Sequence, residues 1–252
     1  MPEIHVLASG SDGNCSVIVN DDQALMVDAG LNCKNLIHLM DVEGVDPHMI
    51  KGLVLTHEHS DHISGADVFC RKFDVPVYTT FGTYEGFNHK DLDFHPISRG
   101  DSFELCGMNV TSIPTSHDAA EPTAYTVLVD GKRVSIITDT GVLTEPCQKA
   151  LRDSDVAILE ANYDEQMLRN GDYPYSLKQR ILSDKGHLCN TDTGRWVADT
   201  ATSRQRKLFL AHLSRNNNTP DIARDTVSKL SGIPRVKIDC LEFRGHTRSI
   251  RL

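Results

Sequence analysis

The sequence predicts a mixed α/β (α+β) fold of two β-sheets packed face to face with helices outside. Three observations predict it. Short runs rich in Val, Ile, Leu and Thr, each stopped by Gly, Asp, Asn or Pro, recur along the chain. The first seven runs follow one another mostly without helical stretches, whereas the last three alternate with helices. That order suits two layered sheets better than a doubly wound parallel sheet. No repeat, low-complexity tract or Pro/Gly/Ser-rich linker divides the 252 residues, so a single domain over 1–252 is expected.

The candidate strands, in order, are His5–Ala8, Ser16–Val19, Ala24–Val27, Gly52–Leu55, Asn109–Ile113, Thr123–Val129, Arg133–Thr138, Val156–Leu159, Lys207–Leu210 and Arg235–Asp239. The candidate helices are Lys34–Val42, Ile63–Phe73, Glu145–Arg152, Leu177–Leu182, Thr191–Thr202 and Pro220–Leu230. Thr191 or Asp192 is placed to cap the fifth helix. The sixth opens with Thr219-Pro220-Asp221, a capping hydroxyl followed by proline in the first turn.

Composition narrows the function classes. Apolar residues make up 39% and charged residues 24%, an ordinary globular balance that excludes disordered, collagenous and coiled-coil chains. No apolar run approaches the ~18 residues of a membrane span, and the N-terminal stretch shows no secretory signal. Seven cysteines lie far apart without a CxxC pair, which reads as reduced thiols in a cytoplasmic protein rather than a disulfide framework. The net charge is −9, yet from Arg204 onward eleven Lys/Arg face four Asp/Glu. That tail could meet a polyanion or simply be a solvated surface.

The chemistry concentrates in Thr56-His57-Glu58-His59-Ser60-Asp61-His62, which follows the buried-type run Leu53-Val54-Leu55 and precedes a helical stretch. Alternation at a strand end points His57 and His59 the same way, and a turn into a helix can bring Asp61 and His62 to the same pocket. Imidazoles and a carboxylate so arranged suit neighbouring divalent cations. A lone histidine is usually a surface or hydrogen-bonded residue; four ligand-type side chains in H-x-H-x-D-H order after an apolar strand are not.

This run resembles the hallmark of the metallo-β-lactamase superfamily, and the other family motifs follow in order. Asp28 in Leu25-Met26-Val27-Asp28-Ala29-Gly30 looks like the supporting aspartate of the first motif, and His117 in Pro114-Thr115-Ser116-His117-Asp118 looks like the third-motif ligand. Asp139 in Ile137-Thr138-Asp139-Thr140-Gly141 looks like the bridging carboxylate, and His212 in Phe209-Leu210-Ala211-His212 like the last ligand. The resemblance implies a four-layered αββα sandwich with a dinuclear site at one edge of the sheets. It implies His57, His59 and His117 on one metal, Asp61, His62 and His212 on the other, and Asp139 between them. Such ligands suit Zn²⁺ or Mn²⁺, or Fe²⁺. Histidine at position 59, where a redox diiron branch has glutamate, favours hydrolysis.

Within the superfamily the motifs are similar to the YycJ (WalJ, VicX) branch. They are Leu7 to Asn14, Thr56 to Gly65, Ser116 to Pro122, Glu160 to Asp164, Gly186 to Asn190 and His212 to Pro220, with Cys189 where that branch has serine. The resemblance implies a nuclease: a 5′→3′ exonuclease on double-stranded DNA, associated with mismatch repair. The alternative is a small-molecule or cyclic phosphodiesterase of the PhnP type. A secreted lactamase and a glyoxalase II-like thioesterase fit poorly, and only 48 positions separate Asp139 from His187, too few for a β-CASP domain. The expected chemistry is in-line attack on phosphorus, with Asp61 orienting the attacking hydroxide and His187 as general acid to the leaving 3′-oxygen. Ser9, Ser11 and Asn14, or Ser214 and Asn216–Asn218 including Asn217, could bind the terminal phosphate, although such residues also favour turns for their own sake. Arg204, Arg206, Lys207, Arg215 and Arg244 are candidate contacts to the DNA backbone.

Overall fold

A computed structural model describes residues 1–87, 91–202, 207–241 and 247–252. Strands β1 (Glu3–Ala8), β2 (Cys15–Asn20) and β3 (Gln23–Val27) form an antiparallel meander. After it come α1 (Cys33–Val42), β4 (Ile50–Val54), α2 (Ser60–Ile63), α3 (Ala66–Phe73), β5 (Val77–Thr80), α4 (Phe81–Gly86) and β6 (Phe94–Ile97), with β3 to β6 parallel. The second half repeats the plan. Strands β7 (Ser102–Leu105), β8 (Met108–Pro114), β9 (Thr123–Val129) and β10 (Lys132–Ile137) are antiparallel. Then follow α5 (Glu145–Asp153), β11 (Val156–Glu160), α6 (Glu165–Asn170), α7 (Tyr175–Ile181), α8 (Asn190–Asp199), β12 (Lys207–Ala211), α9 (Pro220–Ser231), β13 (Ile238–Cys240) and β14 (Arg248–Arg251). The sheet orders are β14-β1-β2-β3-β4-β5-β6 and β13-β12-β11-β10-β9-β8-β7.

Alternation along the strands decides the layers. Ile4, Val6, Ile18, Leu25 and Val54 of the first sheet pack against Val110, Val127, Val134, Ile136 and Phe209 of the second, forming the central core. The opposite face of the first sheet, with Val17, Met26 and Leu53, is covered by Leu36 and Met40 of α1 and Phe69 of α3. The outer face of the second, with Ile137, Leu159 and Leu210, is covered by Leu151 of α5, Val197 of α8 and Val227 of α9. Strands buried on both faces read as near-continuous apolar runs, which is why β3, β11 and β12 were legible. The result is the four-layered αββα sandwich expected from the motifs.

Several local features depart from the sequence reading. The expected helix Ile63–Phe73 is interrupted, because the Gly65 N–H bonds Ala29 O at 2.8 Å instead of continuing the ladder. The expected strand Arg235–Asp239 begins as a 3₁₀ turn over Arg235–Lys237 after Pro234, and pairing starts only at Ile238. Helix α8 begins at Asn190, and neither Thr191 nor Asp192 caps it: Cys189 Sγ accepts from Asp192 N at 3.3 Å. The thiol thus fills the N-cap role that a serine hydroxyl usually takes. Strands β5, β6, β7 and β14 and helices α4 and α6 were not anticipated; each has six residues or fewer. The Asp130-Gly131 turn, with φ of 48° and 71°, is the paired positive-φ geometry that closes a two-residue hairpin between β9 and β10.

Candidate metal centre

The site lies on the rim where the parallel strands of both sheets end. The loop after β4 carries His57 and His59, α2 supplies Asp61 and His62, and the second sheet adds His117 beyond β8, Asp139 beyond β10, Glu160 at the end of β11 and His212 beyond β12. Asp28, Asp139 and His212 leave their strands with φ of 58°, 55° and 55°. The left-handed region is sparsely used by residues other than glycine, and its occurrence at three site positions marks backbone bent to aim side chains. Gly30 is required by close approach: a Cβ there would sit 1.7 Å from Asp61 O. That contact stacks the Asp28-Ala29-Gly30 turn under the histidine run, where Ala29 N bonds His62 O at 2.8 Å.

Two sets of donor atoms converge. His57 Nε2 and His59 Nδ1 are 3.0 Å apart, and His117 Nε2 lies 3.2 Å from the same His59 nitrogen. Asp61 Oδ2 is 3.5 Å from both His62 Nε2 and His212 Nε2. Asp139 reaches both sets, with Oδ2 3.2 Å from His62 Nε2, and Oδ1 3.5 Å from His212 Nε2 and 3.9 Å from His117 Nε2. All seven residues expected as ligands are therefore brought together.

The other nitrogen of most of these rings is anchored. His57 Nδ1 bonds Thr56 Oγ1 at 3.0 Å, and His62 Nδ1 donates to Asp28 Oδ2 at 2.8 Å. His117 Nδ1 donates to Gly186 O at 3.1 Å, and His212 Nδ1 to Glu160 Oε1 at 3.2 Å. Asp28 is fixed in turn by Thr56, whose backbone N–H donates to Oδ1 at 2.8 Å. Such outer contacts fix tautomer and orientation in metal sites. Asp139 Oδ2 is buried without a well-formed hydrogen bond, although His62 lies beside it. An orphaned buried carboxylate oxygen among ring nitrogens that face one another is the donor set a divalent cation satisfies. The residues present fit a divalent metal.

The electrostatics of the two sets differ. Burial, reinforced by neighbouring imidazoles, holds His57 well below the usual histidine range, and burial also lowers His117. Burial opposes charge on His212 too, but Asp139, Asp61 and Glu160 outweigh it and raise its pKa to about 10. The carboxylates of Asp28, Asp139 and Asp61 likewise lift His62 well above its usual value against its burial. Asp61 and Asp139 are held well below the carboxylate range by the surrounding histidines, although their own burial pushes the other way.

His187 stands beside this cluster, with Nδ1 donating to Glu160 Oε1 at 2.7 Å and lying 3.6 Å from Asp139 Oδ1. Glu160 is fully buried, shared between His187 and His212, and its Oε2 accepts from Thr140 N at 2.9 Å. Glu160 opens the Glu160–Asp164 motif, but no spacing to a histidine announces its place in the site. Asn162, also unassigned, donates to His212 O at 2.8 Å.

The candidate phosphate-binding residues separate. Ser11 and Ser214 line the cavity of about 190 Å³ over the site. Ser9 Oγ accepts from His212 N at 2.9 Å, and Asn14 Oδ1 accepts from Gly10 N at 2.9 Å while its Nδ2 lies 3.1 Å from His62 Nε2, so both contact the segments that carry the histidines. Asn217 is buried and bonds Ser214 and Asp164. Among the basic candidates, Lys207 begins β12, roughly 16 Å along the strand from His212. Its Nζ donates to Arg251 O at 2.8 Å. Arg215 pairs with Asp12 at 2.6 Å, while Arg204, Arg206 and Arg244 lie outside the described residues.

Comparison with known proteins agrees with this geometry. A family model described as a beta-lactamase superfamily domain matches residues 24–213. The chain is 39% identical over 231 residues to an exodeoxyribonuclease YycJ of Bacillus anthracis, covering 89% of this chain and 87% of that protein. It is 36% identical over 229 residues to an exodeoxyribonuclease WalJ of Streptococcus pneumoniae, covering 88% and 85%. Among solved structures, the metallo-beta-lactamase fold protein YhfI of Bacillus subtilis aligns over 99% of each chain with a TM-score of 0.75 at 15% identity, a likeness of fold. The chain belongs to the metallo-β-lactamase superfamily and, within it, to the branch of the YycJ and WalJ relatives.

Proposed function

We propose that this chain is a metal-dependent exodeoxyribonuclease that removes nucleotides 5′→3′ from double-stranded DNA, acting in the cytoplasm in DNA repair as one domain without a β-CASP insertion. The observation that carries the reading is a complete histidine and aspartate cluster with His187 at its edge, in a chain 39% identical to an exodeoxyribonuclease over most of its length. His57, His59 and His117 would hold one divalent cation and Asp61, His62 and His212 a second, with Asp139 between them. Bound Zn²⁺, Mn²⁺ or Fe²⁺ would supply Lewis acidity and a water nucleophile near neutral pH.

The remaining work falls to the chain's own groups. Asp61, ionised and half-buried, orients the attacking water. Glu160 accepts a hydrogen bond from His187 Nδ1–H and so supports the doubly protonated ring, whose Nε2–H gives its proton to the leaving 3′-oxygen, a role worth roughly 10²–10⁴-fold. Asp28, Thr56 and the Gly186 carbonyl hold the imidazoles in the tautomers that point the other nitrogen into the site. The products carry a 5′-phosphate and a 3′-hydroxyl.

The test is digestion of end-labelled, 5′-phosphorylated duplex by protein reconstituted separately with Zn²⁺, Mn²⁺ and Fe²⁺, beside bis(p-nitrophenyl) phosphate and cyclic nucleotides. Stepwise release of mononucleotides from the 5′ end is expected. Turnover of the small esters alone would replace this reading with that of a small-molecule phosphodiesterase.

A further inference from the structure

The segment between β11 and α8 does more than connect them. Residues 164–182 contain α6 and α7 and are pinned by a separate apolar cluster in which Tyr163, Leu168, Ile181 and Cys189 are buried, with Tyr173 and Leu177 against them. On its other side the segment borders the site: Tyr173, Leu177, Arg180 and Ile181 line the cavity together with His187. Tyr173 Oη accepts from Asn216 Nδ2 at 3.1 Å, which ties the segment to the turn after His212. Arg215 of that turn pairs with Asp12 in the β1–β2 loop. At its far end the Arg180 guanidinium bonds both carboxylate oxygens of Asp118, the neighbour of His117. The segment therefore runs from the His212 corner to the His117 corner along the side occupied by His187.

We propose that this strap is an end stop: it closes the leaving-group side of the cleft, seats a single 5′-terminal nucleotide, and so confines cleavage to the terminal phosphodiester. The inference rests on the exodeoxyribonuclease reading. If His187 gives its proton to the 3′-oxygen of the departing nucleotide, that nucleotide lies on the strap side, opposite the in-line nucleophile. The strap borders that side: Tyr173, Leu177 and Arg180 line the cavity, and its ties to Asn216 and Asp118 hold it across the path of a strand continuing past the departing residue. The wall chemistry matches a nucleotide end. Tyr173 offers a ring and Leu177 an apolar surface for base and sugar, while Arg180 and the Ser11 and Ser214 hydroxyls offer donors for phosphate. Among the described residues, Arg180 is the one Lys or Arg on that wall.

The experiment compares covalently closed circular duplex with linear 5′-phosphorylated duplex, using the metal-loaded parent, Tyr173→Ala, Arg180→Ala and the double variant, with metal content measured for each. The parent should digest linear DNA and spare circles. The double variant should raise the ratio of circle nicking to linear digestion about tenfold or more. Variants that spare circles while digesting linear DNA at the parental rate would overturn the end stop. So would a loss of linear digestion with circles still spared at full metal content, since the strap would then serve the chemical step. Should the double variant lose metal, the single variants, each altering a partly exposed side chain, carry the same comparison. Nicking of circles by the parent itself is a separate result that rejects the exonuclease reading.

Discussion

The two corners of the metal centre are built from similar residues yet have opposite proton chemistry. At the three-imidazole corner, burial keeps His57 and His117 neutral, and no carboxylate reverses it. At the other, Asp61, Asp139, Asp28 and Glu160 crowd His62 and His212 and, against the burial of both rings, raise the pKa of each in the metal-free protein. The difference teaches that a cation entering the first corner would meet neutral donors, whereas one entering the second would have to displace protons.

The largest effect expected is from Asp139, whose carboxylate lies beside the inward-facing nitrogens of both corners. Asp139→Ala should empty both and lower turnover on the order of 10³-fold or more. Elemental analysis checks this; a variant with full metal content and parental rate would deny Asp139 its bridging place. Next comes His187→Ala, which should lower kcat by roughly 10²–10⁴-fold with metal content unchanged. Glu160→Gln should fall between that variant and the parent, at about 10–100-fold, because it loosens both His187 and His212. Loss of metal in His187→Ala would mean the ring binds a cation rather than delivering a proton.

The pH prediction sharpens the contrast directly. In the metal-free protein the His212 pKa is raised to about 10, so its ion pairs contribute stability that is full below about pH 6.5 and lost as pH climbs through 10. Urea melts of metal-free protein should show that decline, and metal-loaded protein should not. Calorimetry in buffers of different ionisation heat should find protons released on filling the second corner; metal uptake without proton release would erase the distinction. The smallest effect is expected at Lys207, on the far rim: Lys207→Gln should leave the salt dependence of DNA binding unchanged, and a shallower slope would place DNA there as well.

The sequence made the first-sheet candidate ligands plain because one loop and one helical turn carry all four within six residues. The second-sheet candidates were legible only through family motifs, since the parallel register of β10, β11 and β12 sets Asp139 beside His212, and antiparallel pairing through β9 adds His117 beyond β8. Glu160 escaped assignment for the same reason: an acid ending a buried strand has no local signature, and only the fold sets it beneath two histidines. Ser9, Asn14 and Asn217 show the converse limit. Polar residues in a turn look alike in sequence whether they face solvent or, as here, turn inward to brace the loops that carry ligands. Short edge strands such as β6, with Pro96, and β14, with Arg at both ends, carry too few apolar residues to announce pairing.

The left-handed backbone at Asp28, Asp139 and His212 ties two constraints that are usually separable. A lineage that drifted away from metal use could shed these side chains cheaply only for glycine or asparagine, which tolerate that conformation. Valine, isoleucine or threonine would force the strand exits to straighten and carry the neighbouring ligands out of register. The genetic routes out of this chemistry are therefore narrow, and the contour of the chain preserves the imprint of the metal ligands even where an individual ligand is lost.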